Sequence, residues 1–270
     1  MEVEWRKLKA QDLRAMAERN AVVVIPIASI EQHGPHLPVE TDTRLGHEIA
    51  VRAAQKAASE RDVVVTPVVW MGLSEHHMAF GGTLTVSHAT FRMILRDLIA
   101  AAIRLGFHDI LISNSHGGNI IAMQQIADEL SPELDATIVC TTYPMEAAEP
   151  FKEILEDQPG VMHACEAETS MMMAVAGDLV DGADLASLRQ MGGAGQRFLK
   201  AGVASYRWRP FGHVTANGVA GDPAKASAEK GEALLEAGAE AIAALILNPE
   251  TWAAPDDRRP DTLAGVKLRR

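Results

Sequence analysis

The sequence predicts an α/β protein with a mostly parallel sheet and helices on both of its faces. Short apolar runs rich in β-branched residues alternate along the chain with longer amphipathic stretches. This alternation is typical of strand–helix–strand units. The apolar runs are nearly continuous, as expected for strands that are buried on both faces. The chain of 270 residues is predicted to form a single domain, residues 1–270, because it shows no internal repeat and no linker.

The bounds of the predicted elements follow from periodicity and composition. The strands are placed at residues 21–29, 62–70, 108–114 and 135–143. Helical spacing and good helix formers place the helices at residues 43–60, 87–106, 120–130, 166–180 and 224–248. The second helix is predicted to start near Ser87 and to end at Gly106. Residues 206–223 are predicted to form an extended or turn-rich excursion.

The composition argues against several classes of protein. Hydrophobic residues make up 47% of the chain, which is enough for a large core. The formal net charge of −11 argues against nucleic acid or an anionic membrane as the main partner, because phosphate binding needs clustered Lys and Arg. The longest apolar runs are too short to span a bilayer, and the charged N-terminus does not resemble a signal peptide. Two cysteines are too few for a disulfide framework, so a cytoplasmic location is expected.

Polar side chains follow the first three predicted strands at the point where each strand ends. They are Glu31 and His33, then Glu75, His76 and His77, then Asn114 and His116. In an open parallel sheet, ligands bind outside the carboxyl ends of the strands. Three successive strands therefore bring histidines to one edge of the sheet, where a metal site or a proton-transfer site is expected.

The segment EQHGPHLPVETD, residues 31–42, carries the densest group of possible ligands. In an extended segment, residues two apart point to the same side, so Glu31 and His33 are predicted to face one point and Gln32 to face away. A Gly-Pro pair then turns the chain, and Asp42 can fold back towards the first two residues. Two alternatives stay open, since Asp42 can be only a helix N-cap and Glu31 only a solvated loop residue. With His116 nearby, the ligand types favour a metal site.

The segment HACEAETS supplies two further candidates, Glu168 and Cys165. Glu168 falls in the first turns of a predicted helix, where an acid can serve the site or only complement the helix dipole. A Cys165 thiolate near His163 would be a rival nucleophile, although a buried, inert cysteine is the commoner case. The acids and histidines of the sheet edge already supply a catalyst, which favours metal-assisted chemistry over the cysteine.

Four motifs resemble those of the creatininase family of metal-dependent amidohydrolases. They are PIASIEQHGPHLPVETD, GLSEHHMAFGGTLT, SNSHGGN and HACEAETSMM. Their order and spacing match the family over the first two thirds of the chain. The resemblance implies a three-layer α/β/α sandwich with a centre of two divalent metal ions that acts on a small-molecule substrate. It also implies a homo-oligomer, often a hexamer.

The resemblance implies a role for each matching residue. The positions that match metal ligands are Glu31, His33, Asp42 and His116. Asp42 matches the carboxylate that bridges the two ions. Glu168 matches an acid at the metal centre and is predicted as a ligand and proton carrier, and His163 matches a histidine that handles protons on the substrate side. The residues expected to support the site or contact the substrate are His36, His76, His77, Gly117, Gly118 and Tyr143.

Two departures from the family argue against creatinine as the substrate. Creatininases carry a metal-binding glutamate two residues after the histidine that matches His116, whereas this chain has Gly118. Creatininases also enclose creatinine with tryptophans on a loop that corresponds to residues 143–165, which here contain none. Substrate specificity is expected to depend on residues 71–86, 144–165 and 190–222.

Hydrolysis of a C–N bond in a small cyclic amide or a formamide is the leading functional hypothesis. Nitrogen and oxygen donors of this kind suit Zn²⁺, Mn²⁺ or Fe²⁺. Ring opening of a cyclic ketone or lactone at the same two metals is an alternative within the enzymes. A metal-dependent sensor or scaffold without catalysis is an alternative from another class.

Overall fold

A four-stranded parallel sheet forms the centre of the molecule. Its strands are β1 (Val22–Ile27), β2 (Val63–Val65), β3 (Asp109–Asn114) and β4 (Thr137–Thr142), in the spatial order β2-β1-β3-β4. Neighbouring strands pair in parallel, so each strand is followed by a crossover connection. The computed structural model describes residues 1–134, 136–156, 158, 160–190, 206–260 and 265.

Helices connect and flank these strands. They are α1 (Ala10–Glu18), α2 (Thr41–Ala57), α3 (His88–Arg104), α4 (Ile120–Leu134), α5 (Tyr143–Glu146), α6 (Ala148–Ile154), α7 (Glu166–Ala176) and α8 (Ala228–Leu247). Two of them start at serines, since Ser87 accepts a hydrogen bond from the N–H of Thr90 and Ser227 from that of Lys230, each at 3.2 Å. Among the described residues, no helix has the length and apolar character that a membrane span requires.

The strands bury alternate residues on opposite faces of the sheet. Val22 and Val24 of β1 belong to a core shared with α2, α7 and α8, whereas Val23 and Ile25 belong to a second core shared with α3 and α4. The α1 residue Met16 packs into the second core. The sheet therefore lies between two helical layers, which confirms the predicted α/β/α sandwich.

The second strand is much shorter than predicted, because β2 ends at Val65 rather than at residue 70. Pro67 has no N–H to donate to a neighbouring strand, and the chain returns to the sheet only for an isolated bridge between Val69 and Ile27. Proline is tolerated here because β2 lies at the edge of the sheet.

The other predicted elements shift by only a few residues. The helix predicted at 166–180 ends at Ala176 and continues as a 3₁₀ turn, Gly177–Leu179. The excursion predicted at 206–223 contains one described 3₁₀ turn, Phe211–His213. This turn lies close to another, Glu75–Phe80, which follows β2. Both turns border the carboxyl edge of the sheet.

Candidate metal centre

The carboxyl edge of the sheet holds a buried cluster of acids and histidines. The loops after β1, β2 and β3 meet at this edge, together with the first turns of α2 and α7. The side chains brought together are those of Glu31, His33, Asp42, His77, His116, His163 and Glu168. All except His163, which is slightly exposed, are at least nine-tenths buried. The prediction that three strands deliver histidines to one edge is confirmed.

Asp42 lies at the middle of this cluster. It is the second residue of α2, whose N-cap position is Glu40, so the alternative that Asp42 is only a helix N-cap does not hold. Its Oδ1 lies 3.3 Å from Nε2 of His33, and its Oδ2 lies 3.1 Å from Nδ1 of His116. The hydroxyl of Ser115 donates to the Asp42 carbonyl at 2.9 Å and fixes the start of the helix against β3.

His33 and His116 are each held by a backbone carbonyl. Nδ1 of His33 lies 3.1 Å from the carbonyl of Glu31, and Nε2 of His116 lies 3.2 Å from the carbonyl of Leu73. A carbonyl only accepts hydrogen bonds, so in a neutral ring each of these nitrogens carries the proton. The opposite nitrogens then point lone pairs at Asp42. Histidines that bind metals are commonly oriented in this way.

Glu31 adds a second carboxylate to the cluster. Its Oε2 accepts a 2.6 Å hydrogen bond from the hydroxyl of Ser74 and lies 3.2 Å from Nδ1 of His116. Its Oε1 lies 3.4 Å from Nε2 of His77 and 3.5 Å from Nδ1 of His163. With exposure of 1%, Glu31 is buried, so these contacts replace water around its charge.

The third carboxylate comes from Glu168 in the first turn of α7. Its Oε2 accepts a hydrogen bond from the N–H of Ala164 at 2.5 Å and lies 3.9 Å from Nε2 of His33. Burial raises the pKa of Glu168 to about 7, against the lowering effect of His33. The alternative that this acid is an exposed residue that only complements the helix dipole does not fit its burial beside His33.

Position 118, where creatininases carry a glutamate, has no room for a side chain. A Cβ on Gly118 would lie 2.3 Å from Nε2 of His116 and 2.4 Å from the carbonyl of Leu73. Because the His116 ring is held by that same carbonyl, it cannot move aside without losing its orientation. The space at position 118 is thus taken by the ring, and Glu168, whose Oε2 lies 3.9 Å from Nε2 of His33, offers another carboxylate in addition to Asp42.

Among the described residues, four groups of donor atoms could each hold a metal ion, and two of them share Asp42. One of these two is Glu31, Asp42 and His116, and the other is His33, Asp42 and Glu168, with the ligand atoms of each group within 4.8 Å of one another. Nε2 of His33 and Oδ2 of Asp42 are buried with no hydrogen-bond partner among the described residues. Buried polar atoms are rarely left unpaired. Converging ring nitrogens and carboxylate oxygens fit a divalent cation, which would take the place of the protons on the rings.

The pKa shifts in the cluster show that its buried carboxylates need positive charge beside them. Burial alone would raise the pKa of Glu31, but His116 and the other nearby histidines hold it well below its usual range. Burial alone would lower the pKa of His33, but Asp42 and the other acids raise it to about 10. The same balance raises the pKa of His116. In the metal-free chain, protons on these two rings supply the positive charge that the buried carboxylates require.

An apolar wall covers the histidines His77 and His163. The Phe211 ring lies 4.3 Å from the His77 ring and 4.8 Å from the His163 ring, measured between centroids. Burial lowers the pKa of His163 to about 3 and lowers that of His77 further, so both rings are neutral. Phe211 lies in the predicted specificity segment 190–222, of which residues 191–205 lie outside the described residues; its effect on substrate specificity stays a prediction.

Gln32 joins this group of histidines, so the prediction that it faces away is wrong. Its Nε2 lies 2.7 Å from Nδ1 of His77 and 3.0 Å from Nε2 of His163. The prediction assumed the alternation of a regular strand. The segment after β1 forms only isolated bridges, Ile30 with Leu84 and His33 with Leu37, so a period of two does not hold there.

Three other contributors were missed by the sequence analysis. Ser74 and Phe211 contact the cluster from loops far from the first motif in the chain. Asn119 joins the strand ends, because its Oδ1 accepts from the N–H of Leu73 and its Nδ2 donates to the carbonyl of Ala28, both at 3.0 Å. The prediction from the SNSHGGN motif concerned its histidine and glycines. Its final asparagine, Asn119, is the residue that could have indicated this structural role.

The residues predicted to support the site or contact substrate are dispersed around the cluster. Nε2 of His36 lies 2.9 Å from the hydroxyl of Thr169, and the ring is buried. His76 is half-buried, Gly117 is exposed, and Tyr143 packs into the core with 2% exposure. Contact of these residues with a substrate stays a prediction.

Cys165 does not have the surroundings of a nucleophile. It is fully buried, and burial raises the pKa of its thiol to about 12. Its sulfur accepts a hydrogen bond from the N–H of Met162 at 3.3 Å. Reactive cysteines need a lowered thiol pKa and access to the substrate, so the geometry argues against the rival cysteine mechanism.

The fold and the cluster define a class, that of α/β/α proteins with a dinuclear type of metal site at the carboxyl edge of a parallel sheet. The family model for Creatininase, described as creatinine amidohydrolase, matches residues 6–246. The chain belongs to the creatininase family.

Sequence relatives in this family carry different hydrolytic activities. The mycofactocin precursor peptide peptidase of Mycolicibacterium smegmatis is 31% identical over 216 residues, 78% of each chain. The 3-dehydro-scyllo-inosose hydrolase of Thermotoga maritima is 27% identical, over 64% of this chain and 56% of the relative. A 2-amino-5-formylamino-6-ribosylaminopyrimidin-4(3H)-one 5'-monophosphate deformylase of Methanobrevibacter smithii is 28% identical, over 51% and 56%. Hydrolysis is common to these names, and the substrates differ.

Solved structures confirm the fold. A Bacteroides fragilis protein assigned as a creatinine amidohydrolase superimposes with a TM-score of 0.79, at 28% identity over 96% of this chain and 99% of that one. A structure described as creatininase Mn has a TM-score of 0.73 at 24% identity, covering 91% of this chain and 98% of its own. Another creatininase, of Zn–Zn type, has the same TM-score and identity, covering 91% and 97%.

Proposed function

We propose that the protein is a metal-dependent hydrolase that cleaves a C–N bond in a small cyclic amide or a formamide. The observation that carries this proposal is the convergence of buried ring nitrogens and carboxylate oxygens at the carboxyl edge of the sheet. The donors are Glu31, His33, Asp42, His116 and Glu168. A ligand set that is rich in oxygen and lies beside a loop-lined edge is suited to catalysis rather than to structural metal binding.

Two divalent ions fit the donor groups. Glu31, Asp42 and His116 would hold one, and His33, Asp42 and Glu168 the other. Zn²⁺ or Mn²⁺ suits this mixture of imidazole and carboxylate, with Fe²⁺ as a further option. The creatininase structures described as Mn and as Zn–Zn support that choice. When bound, such ions polarise a carbonyl and lower the pKa of a water molecule towards neutrality.

His163 is proposed to carry the proton to the leaving nitrogen. Its Nε2 is held by the carbonyl of Gln32 at 2.8 Å, and its Nδ1 faces Oε1 of Glu31 at 3.5 Å. An amide nitrogen is a poor leaving group, so its protonation is as necessary as attack on the carbonyl. Glu168 is the second proton carrier, and the N–H groups of Gly117 and Gly118 can stabilise negative charge on the carbonyl oxygen.

The substrate class is supported by the relatives and by the missing tryptophans. The deformylase relative acts on a formylamino group, as its name states, which supports a formamide. The peptidase relative, 31% identical, favours a second candidate in which the scissile bond is a peptide bond. The inosose hydrolase relative keeps open the ring opening of a cyclic ketone. The absence of tryptophan from 143–165 argues against creatinine.

A substrate panel tests the proposal. The purified protein, stripped by chelator and reloaded with Zn²⁺ or Mn²⁺, would be incubated with lactams, cyclic imides, formamides, short peptides and cyclic ketones. The proposed function predicts turnover of a cyclic amide or a formamide that disappears in Glu168→Gln. Cleavage of peptides alone would establish the second candidate. No turnover in any metal-loaded sample would contradict a hydrolase function and favour the sensor or scaffold.

A further inference from the structure

Gln32 lies between two histidines and donates with a defined orientation. Its Oε1 accepts the N–H of Gly34 at 2.9 Å, and its Nε2 donates to the carbonyl of Gly218 at 3.2 Å. The amide therefore has one favourable orientation. If it were flipped, its oxygen would face the Gly218 carbonyl and its NH₂ group would face the N–H of Gly34. Gln32 is 7% exposed, so no bulk water replaces these contacts.

Position 218 is shaped to receive this amide. A Cβ on Gly218 would lie 2.1 Å from Oε1 and 3.0 Å from Cδ of Gln32. Gly218 also has a φ of +84°, in the left-handed region that favours glycine. Because residue 218 has no side chain, its backbone leaves room for the Gln32 amide. The Gly218 carbonyl then accepts a hydrogen bond from one of the two amide N–H groups.

The two N–H groups of the Gln32 amide determine which nitrogen of the His77 ring carries the proton. One goes to the Gly218 carbonyl, and the other goes to Nδ1 of His77 at 2.7 Å, the shorter contact. Nδ1 must then be an acceptor, so the proton of the neutral His77 ring is on Nε2. That nitrogen lies 3.4 Å from Oε1 of Glu31 and donates towards it.

The backbone carbonyl of Gln32 determines which nitrogen of the His163 ring carries the proton. Nε2 of His163 lies 2.8 Å from the Gln32 carbonyl, which only accepts, so this nitrogen carries the proton. Both amide protons of Gln32 then go to Gly218 and His77, so we assign no hydrogen bond to the 3.0 Å contact between its Nε2 and Nε2 of His163. Nδ1 of His163 is left with a lone pair that faces the cluster.

We infer that Gln32 is a positioning residue that sets the tautomers of both histidines. Its side chain makes His77 donate to Glu31 and so fixes the rotation of that carboxylate, and its carbonyl leaves Nδ1 of His163 free for proton transfer. The catalytic use of the His163 tautomer rests on the proposed function. The assignment of the two tautomers rests on hydrogen-bond geometry alone.

Neutron diffraction from perdeuterated, metal-free crystals tests the tautomers directly. The expected result is deuterium on Nε2 of His77 and on Nε2 of His163, with none on either Nδ1. Deuterium on Nδ1 of His77 or on Nδ1 of His163 overturns the inference. This measurement uses the wild-type protein, so it does not depend on a variant that folds.

Zn²⁺ binding measured by calorimetry tests the positioning role. Gln32→Met keeps the size of the side chain but cannot donate to His77, so His77 is no longer constrained to donate to Glu31. Zn²⁺ binding should then weaken by up to about 10–100-fold, the loss expected when a ligand such as Glu31 loses its outer hydrogen-bond partner. Gln158→Met is the matched control, because Gln158 is an equally buried amide that contacts Glu166 and Asp222 rather than the histidines.

Two outcomes of the calorimetry overturn the positioning role. One is wild-type Zn²⁺ affinity in Gln32→Met, and the other is an equal loss of affinity in both glutamine variants, which indicates general loosening of the fold. Neither the crystals nor the calorimetry need a substrate. A protein with the expected tautomers and no turnover on any amide would therefore contradict the proposed function and leave this inference standing.

Discussion

Carboxylates are buried at both edges of the sheet, and their partners differ. At the amino edge, Asp109 at the start of β3 accepts hydrogen bonds from Arg61 at 2.6 Å and from Asn20 at 2.9 Å. At the carboxyl edge, the Asp42 carboxylate faces the rings of His33 and His116. An arginine is always charged, whereas a histidine can exchange its proton for a metal ion. A buried acid with a permanent cation serves the fold, and one surrounded by histidines indicates a binding site.

The largest effect is expected from Asp42→Asn, which removes the charge shared by both donor groups. Zn²⁺ binding should be lost, and hydrolysis should fall by about 10³-fold, because metal catalysis contributes several kcal/mol. The metal-free protein should still fold, since fewer buried charges then need neutralising. Elemental analysis checks the zinc content, turnover assays check the hydrolysis, and urea unfolding checks the fold. A full complement of zinc in Asp42→Asn would show that this carboxylate is not the shared donor.

The next effect concerns acid sensitivity and His36. Burial, helped by the positive charge of His33, lowers the pKa of His36 to about 4 in the folded protein. Stability from its neutral form is complete above the unfolded pKa of about 6.5 and is lost as the pH falls towards 4, because the unfolded chain then binds the extra proton. The loss can reach about 3 kcal/mol at the limit of the full pKa difference.

The variant His36→Gln should therefore lose less stability than the wild type between pH 7 and pH 4 in the metal-free protein. Urea unfolding at a series of pH values measures the difference. His213→Gln, at an exposed position, is the control and should follow the wild type. Parallel curves for wild type and His36→Gln would mean that other groups account for the acid sensitivity.

A smaller loss is expected at the amino edge from Asp109→Asn. The Arg61 side chain, 22% exposed, would keep part of its hydration, so we expect about 2–3 kcal/mol, less than for a fully buried pair. Zn²⁺ affinity should not change. Asp62→Asn breaks the exposed pair with Arg19 and should lower stability much less, because solvent screens that pair. Loss of zinc in Asp109→Asn would break the contrast between the two edges.

A loss smaller than that of Asp109→Asn is expected from Trp252→Leu. The guanidinium of Arg61 lies 4.8 Å from the Trp252 ring centroid, and the indole N–H donates to the carbonyl of Ile246 at 2.9 Å. Losing both contacts should lower the free energy of unfolding by about 1–2 kcal/mol. Trp208→Leu, at an exposed site, should change it by no more than about 0.5 kcal/mol. Thermal unfolding of both variants, compared with wild type, measures the difference.

The sequence predicted the layers of the fold and the place of the site because both depend on local pattern. Apolar runs identify buried strands, and parallel order then brings strand ends to one edge. Glu31, His33, Asp42 and His116 meet there as expected. Element ends were less accurate, and the edge strand β2 was overestimated because Pro67 follows its last paired residue.

The rest of the site depends on contacts that no local pattern records. Gln32 was misplaced because the chain leaves regular strand geometry after β1. Phe211 reaches His77 from more than a hundred residues away in the chain, and its apolar character gave no sign of a role. The fit of the His116 ring against Gly118 needed atomic positions, since the sequence shows only that a glutamate is missing.

The spacing of the donor residues along the chain has a consequence for how the protein matures. The donors lie at positions 31, 33, 42, 116 and 168, and they meet only after parallel strands separated by long crossovers have paired. Non-local pairings of this kind form late, because loop closure must precede the contacts that stabilise them. A growing chain still lacking α7 has no complete donor set. Metal loading should therefore follow folding and select finished molecules, which would let zinc retention report on the quality of a refolded sample.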